Sequence, residues 1–128
     1  MIRVQESIDI FTKSTGMPYY NSFYSDELED YQDLQNKTFE IVEMSPEEYF
    51  EECAKLKHTT VSKLKDEREK HIDRIEQYMD DMKNGDKFPM PVIDYVWEMQ
   101  EGLHRMYAVG EAYGWDEKVP VMIIKKYR

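Results

Sequence analysis

One cysteine, Cys53, is the whole thiol content of this 128-residue chain. A single thiol closes no intrachain disulfide and builds no multi-cysteine zinc site. Long apolar runs are missing too: no stretch approaches the ~20 residues of a membrane-spanning helix, and Met1-Ile2-Arg3-Val4-Gln5-Glu6 lacks the apolar region of a secretory signal. A cytoplasmic protein is the expectation. Basic residues are scarce, with 17 Lys and Arg against 27 Asp and Glu and a net charge of −10. Phosphate backbones and anionic membranes are held mainly through Lys and Arg, so this balance argues against direct DNA binding and against a membrane partner.

What is present suits one globular domain. At this length a chain buries a core without staples, and a hydrophobic share of 41% supplies one. The acidity is uneven. Residues 1–56 carry thirteen acids against four bases (−9), which leaves fourteen against thirteen (−1) for residues 57–128. In the acidic part, Ser7-Ile8-Asp9-Ile10-Phe11 reads as a short strand or one helical turn. Gly16, Pro18 and Asn21 then break up a tyrosine-rich run, Tyr19-Tyr20-Asn21-Ser22-Phe23-Tyr24, ahead of an acidic segment from Asp26 to Leu34. Aromatic side chains bury large areas, which sets this segment apart from a plain disordered tail. It reads as an arm packed across the core or, over residues 16–36, as a surface for a protein partner.

The remainder is more regular. Thr38 to Met44 alternates as a core strand, with Phe39 and Ile41 on one face. Ser45-Pro46-Glu47-Glu48 is a helix start: Ser45 caps, Pro46 suits the first helical position, and Glu48 completes a capping box. Tyr49, Phe50, Cys53 and Leu56 give this helix its apolar face, so Cys53 is a small buried hydrophobe and not a nucleophile. A longer helix is expected from about Val61 to Asn84, on Val61, Leu64, Ile72, Ile75, Met79 and Met82, with Gly85 as C-cap. The run Lys65-Asp66-Glu67-Arg68-Glu69-Lys70 is its solvated face, and His71, with no second His or Cys at metal spacing, is structural or exposed. Phe88-Pro89-Met90-Pro91 forces an extended chain into a strand over Val92 to Trp97. A helix to Tyr113, closed by Gly114, precedes a last apolar strand, Val119 to Ile124. This β-α-α-β-α-β order predicts an α+β (mixed α/β) single domain over residues 38–128, a small mixed sheet packed by three helices, behind an N-terminal extension of residues 1–37.

The chemistry concentrates in Gln100-Glu101-Gly102-Leu103-His104-Arg105, between strand and helix. A helix start leaves backbone N–H groups without internal partners and carries partial positive charge, so it suits an anion. Gly102 removes the Cβ that would hold a ligand off the backbone. His104 and Arg105 add donors, the guanidinium offering a planar fork that matches phosphate oxygens. The competing explanation is steric: glycines often sit in such turns for packing alone, and an early-helix Arg often pairs with a nearby Glu.

The succession Ile41-Val42-Glu43-Met44-Ser45-Pro46-Glu47-Glu48-Tyr49, Phe88-Pro89-Met90-Pro91-Val92-Ile93, Glu101-Gly102-Leu103-His104-Arg105, Gly114 and Val119-Pro120-Val121 resembles the ParB/sulfiredoxin superfamily over about residues 38–126. It looks most like small ParB-like proteins of phages and mobile elements that carry a Glu-Gly-x-His-Arg box. The resemblance implies a nucleotide phosphate held by Gly102, Leu103, His104 and Arg105 at a helix N-terminus, with Mg²⁺ and ATP or CTP. Sulfiredoxins place a nucleophilic cysteine where Leu103 stands, which argues against that activity. Partition ParB proteins use an arginine-rich box and a downstream DNA reader; His104 and a chain ending at Arg128 depart from that pattern. Free-serine kinases of the fold add an acidic residue that activates a hydroxyl, and Glu101, Glu98, Glu47 and Glu48 are the available acids.

Two readings follow. In the first, the chain binds nucleotide phosphates as an NTPase or phosphotransferase, with Glu101 or Glu98 as base or metal partner. The alternative is a non-catalytic interaction protein, anti-defence or regulatory, acting through the acidic, tyrosine-rich surface of residues 16–36. DNA cleavage ranks below both, for want of a tight carboxylate cluster and a basic groove.

Overall fold

The computed structural model describes residues 37–84 and 90–127, with side chains over 42–84 and 90–124. The expectations for residues 1–36, for the Gly85 cap, for Phe88-Pro89 and for the facing of Phe39 and Ile41 lie outside the described residues.

Strand β1 (Lys37–Met44) leads directly into α1 (Pro46–Leu56). The capping box is present: the Glu48 amide donates to Ser45 Oγ at 3.1 Å, and the Ser45 amide donates to Glu48 Oε1 at 3.3 Å. Lys118 bonds the same carboxylate and holds it below the usual carboxylate range. Tyr49, Phe50 and Cys53 are fully buried on the inner face of α1. Burial pushes the Cys53 thiol up to about 12, which makes it a packing residue.

The expected strand from Val92 to Trp97 is shorter and is followed by one that the pattern did not reveal. β2 (Val92–Asp94) turns back on β3 (Met99–Glu101) as a hairpin. Asp94 makes the turn: its Oδ1 accepts the amides of Val96 at 2.9 Å and Trp97 at 3.1 Å, taking donors that a continuing strand would have used. Gly102 then opens α4 (Leu103–Tyr113), and β4 (Val119–Tyr127) completes a mixed sheet in the order β1-β4-β2-β3. β4 pairs antiparallel with β1 and parallel with β2. Residues of β2 and the described side chains of β4 are all buried, as two-sided burial of central strands requires.

The single helix expected from Val61 to Asn84 is two, α2 (Val61–Glu69) and α3 (Ile72–Lys83), broken at Lys70-His71. No residue between Leu64 and Ile75 is buried, so no apolar side chain anchors a straight helix in the core there. Ile72, expected on the apolar face, is 41% exposed. After the break, α3 runs along α4, whereas α2 packs on α1 and α4. The described domain is therefore α+β, with four helices on a four-stranded mixed sheet. None of the described helices is long and apolar enough to cross a membrane.

Candidate functional site

Gly102 adopts φ +130°, ψ 11°, a conformation that L residues rarely take. A Cβ on it would stand 2.9 Å from Pro91 Cβ and 3.3 Å from Arg105 Nη2. The glycine thus answers to backbone geometry and to Pro91, and it also lines a pocket at the start of α4. The start of α4 is nonetheless open: no side chain caps it, and Met106 donates its amide to Gly102 O at 2.8 Å. The amides of Leu103, His104 and Arg105 precede that first intrahelical bond.

A pocket of about 210 Å³ lies against this helix start, lined by Gln100, Glu101, Gly102, Leu103, His104 and Arg105 and, from the other side, by Arg68, Arg74 and Tyr78. All four expected phosphate-binding residues line it, and so does Glu101. Glu98 does not. It sits in the β2–β3 turn at φ 52°, where its carbonyl accepts Lys57 Nζ at 2.9 Å.

Arg105 is the central side chain. It is nine-tenths buried, and Nη1 donates to Glu101 Oε1 at 3.1 Å. Its Nε and Nη2 are buried with no hydrogen-bond partner among the described residues, and so are Arg68 Nε and Gln100 Oε1. Buried polar groups are nearly always satisfied, and an unsatisfied guanidinium face costs more than a neutral one. Arg68 spends Nη2 on Glu67 Oε2 at 3.2 Å, on its outer side. Arg74 donates through Nε and Nη2 to Tyr78 Oη at 3.1 and 2.9 Å. The result is a concentration of positive charge inside a strongly acidic chain, with Glu101 the one carboxylate in the lining.

His104 completes the wall. Its Nε2 lies 3.0 Å from His71 Nδ1, and the two rings stack at 5.2 Å between centroids. Burial, with Arg68 and Arg74 nearby, lowers His104 to about 4, so its imidazole is neutral at pH 7.

Arg68, His71, Arg74 and Tyr78 were not recognised as site residues from the sequence; Arg68 was assigned to a solvated face, which its 13% exposed side chain corrects. One signal pointed to them: they recur at three- and four-residue steps, a basic and aromatic line that continues across the helix break.

Tyr49 ties this site to the core. Its hydroxyl lies 3.0 Å from Val92 O and 3.1 Å from Glu101 O, carbonyls of residues paired across the hairpin. Tyr49→Phe leaves those buried acceptors short of a donor, and a loss of about 1–3 kcal/mol is expected. Because Glu101 immediately precedes Gly102, the same variant should weaken anion-induced thermal stabilisation, which melting curves with and without sulfate check.

Comparison with protein-family models, with curated protein sequences and with solved structures finds no match.

Proposed function

We propose that this chain binds the phosphate groups of a nucleotide at the N-terminus of α4, as a ParB/sulfiredoxin-like domain with NTPase or phosphotransferase chemistry. The observation that carries the reading is Arg105, nine-tenths buried in a polar pocket with Nε and Nη2 unmatched among the described residues. Phosphate oxygens are the natural partners of such a fork. The early amides of α4 add donors, while Arg68 and Arg74 neutralise charge from the opposite wall. Leu103, buried and carbon-only, supplies no nucleophile at the centre of the Glu101-Gly102-Leu103-His104-Arg105 box, so turnover rests on positioning and charge stabilisation.

Mg²⁺ brings charge neutralisation to phosphates when it is bound. Glu101 is the residue that fits it, with a side chain 62% exposed at the pocket rim. The described residues contain no group of three His, Cys, Asp or Glu able to hold a metal ion, so the ligand's own oxygens would supply most of the coordination.

The test is thermal. ATP or CTP with Mg²⁺ at millimolar concentration should raise Tm, by about 2.7 kcal/mol of added stability at a hundred times Kd, and Arg105→Ala should abolish the shift. No response to either nucleotide overturns the proposal.

The Glu101–Arg105 ion pair favours a second reading, in which the pocket is idle and residues 16–36 dock on a basic partner. In that case, deletion of residues 1–36 removes partner capture, and nucleotides do nothing to Tm.

A further inference from the structure

His104 in the pocket lining pairs with His71, which stands just outside that lining, and phosphate binding alone does not require this pair of imidazoles. We propose that the pocket takes a doubly charged oxyanion, the terminal group of a phosphomonoester, together with one proton that enters the His71–His104 pair. The proposal rests on the pocket being an anion site and adds to it the class of anion and a coupled proton.

Size and charge set the ligand class. At about 210 Å³ the pocket is smaller than the ~300–1,000 Å³ of sites that enclose drug-sized ligands. It has room for a phosphate head, while a ribose and base would lie outside. Three guanidiniums, from Arg68, Arg74 and Arg105, line the pocket with one carboxylate, that of Glu101, and Arg68 also pairs with Glu67 outside the lining. The single negative charge of a phosphodiester leaves positive charge uncompensated in that lining; the two charges of a monoester match it better.

The histidine geometry sets the proton. Nitrogens 3.0 Å apart in two imidazoles share one proton, one ring donating and the other accepting. In that arrangement the donor ring keeps its outer nitrogen free, so the pair can gain a proton from solvent without breaking the bridge. The groups facing His104 are Arg68 from α2, His71 and Arg74 from the start of α3, Tyr78 further along α3, Glu101 from β3 and Arg105 from its own helix. The arginines oppose a positive charge there, and Glu101 alone favours it. Burial acts with the arginines, which is why His104 lies at about 4 in the free protein. An incoming dianion reverses the local field and raises the pair's proton affinity. By reciprocity, the protonated pair binds the anion more tightly.

Sulfate is the probe, because it keeps both charges across the range in which phosphate esters themselves titrate, near pH ~6. Calorimetric titration of the full chain is made at about pH 7.5, 6.5 and 5.5, in two buffers of different ionisation enthalpy. Sulfate affinity should rise roughly tenfold from the highest to the lowest pH, with proton uptake approaching about one per sulfate. His71→Gln and His104→Gln, both changes at positions that are not buried, should flatten that dependence. Dimethyl phosphate, a diester, should bind at least roughly tenfold more weakly than sulfate. Sulfate binding that is independent of pH, or a pH dependence that survives both variants, overturns the proton coupling and leaves the anion site intact. Equal affinity for dimethyl phosphate overturns the ligand class. Absence of any anion or nucleotide response at every pH overturns the phosphate reading itself.

Discussion

Arg105→Met gives a protein that is more stable without ligand and indifferent to anions. Two of the three guanidinium nitrogens of Arg105 are buried without partners among the described residues, and one bond to Glu101 is what offsets that desolvation there. Methionine has a similar length, fills the same space and carries no donors to leave unmatched. The partner left behind suffers little, since the Glu101 side chain is 62% exposed and solvated. Removing the unmet guanidinium should therefore raise stability by about 1–3 kcal/mol, or several degrees in Tm. The same change should erase the stabilisation that sulfate or nucleotide confers. Unfolding in urea, with and without sulfate, measures both. A substantial loss of ligand-free stability would mean that Arg105 is held for packing, and the case for a functional pocket would fall with it. A binding group kept at a cost to the resting fold is the expected signature of a site; a structural residue has no such cost to relieve.

Gly102→Ala should be among the most damaging small substitutions in the domain. An alanine there must accept φ near +130° and also place its Cβ 2.9 Å from Pro91 Cβ and 3.1 Å from Pro91 Cα. Backbone strain and overpacking each cost about 1–3 kcal/mol, so a loss of about 2–6 kcal/mol is expected. Gly114→Ala is the internal control. Its φ is +121°, but the only close neighbour of an added Cβ is the Asp116 carboxylate at 3.1 Å, a group free to swing away. That variant should show the strain without the clash and lose about 1–3 kcal/mol. Equal losses at the two positions would show that Pro91 yields and that conformation alone fixes Gly102. At Gly102 the added methyl also lies 3.3 Å from Arg105 Nη2, so residual folded protein should respond less to sulfate.

The local elements were legible where the chain states its own rules. The capping box at Ser45 to Glu48 and the helix from Leu103 to Tyr113 needed only nearby residues, and both are found as the sequence predicts. The strand at Val119 was equally plain, because a run buried on both faces reads as continuous apolar sequence. The β2–β3 hairpin was not, for a physical reason. Val92 to Trp97 has strand composition throughout, and only the Asp94 side chain, by taking two amides, decides that pairing stops. The break between α2 and α3 was hidden in the same way. Charged residues with good helix propensity fill it, and it falls where no residue between Leu64 and Ile75 is buried in the core.

For the candidate site, the sequence by itself determined one wall: a glycine opening a helix, with His104 and Arg105 in its first turn. These residues are neighbours along the chain, and their geometry follows from helix formation alone. Only the tertiary structure decided that Arg68, His71, Arg74 and Tyr78 stand across from them. It also decided that Glu98 stays in a turn and that Arg105 is buried with donors to spare. Those facts depend on how α3 lies along α4, a packing set by Ile75 and Met82 against the core, and no local pattern encodes the distance between two helices.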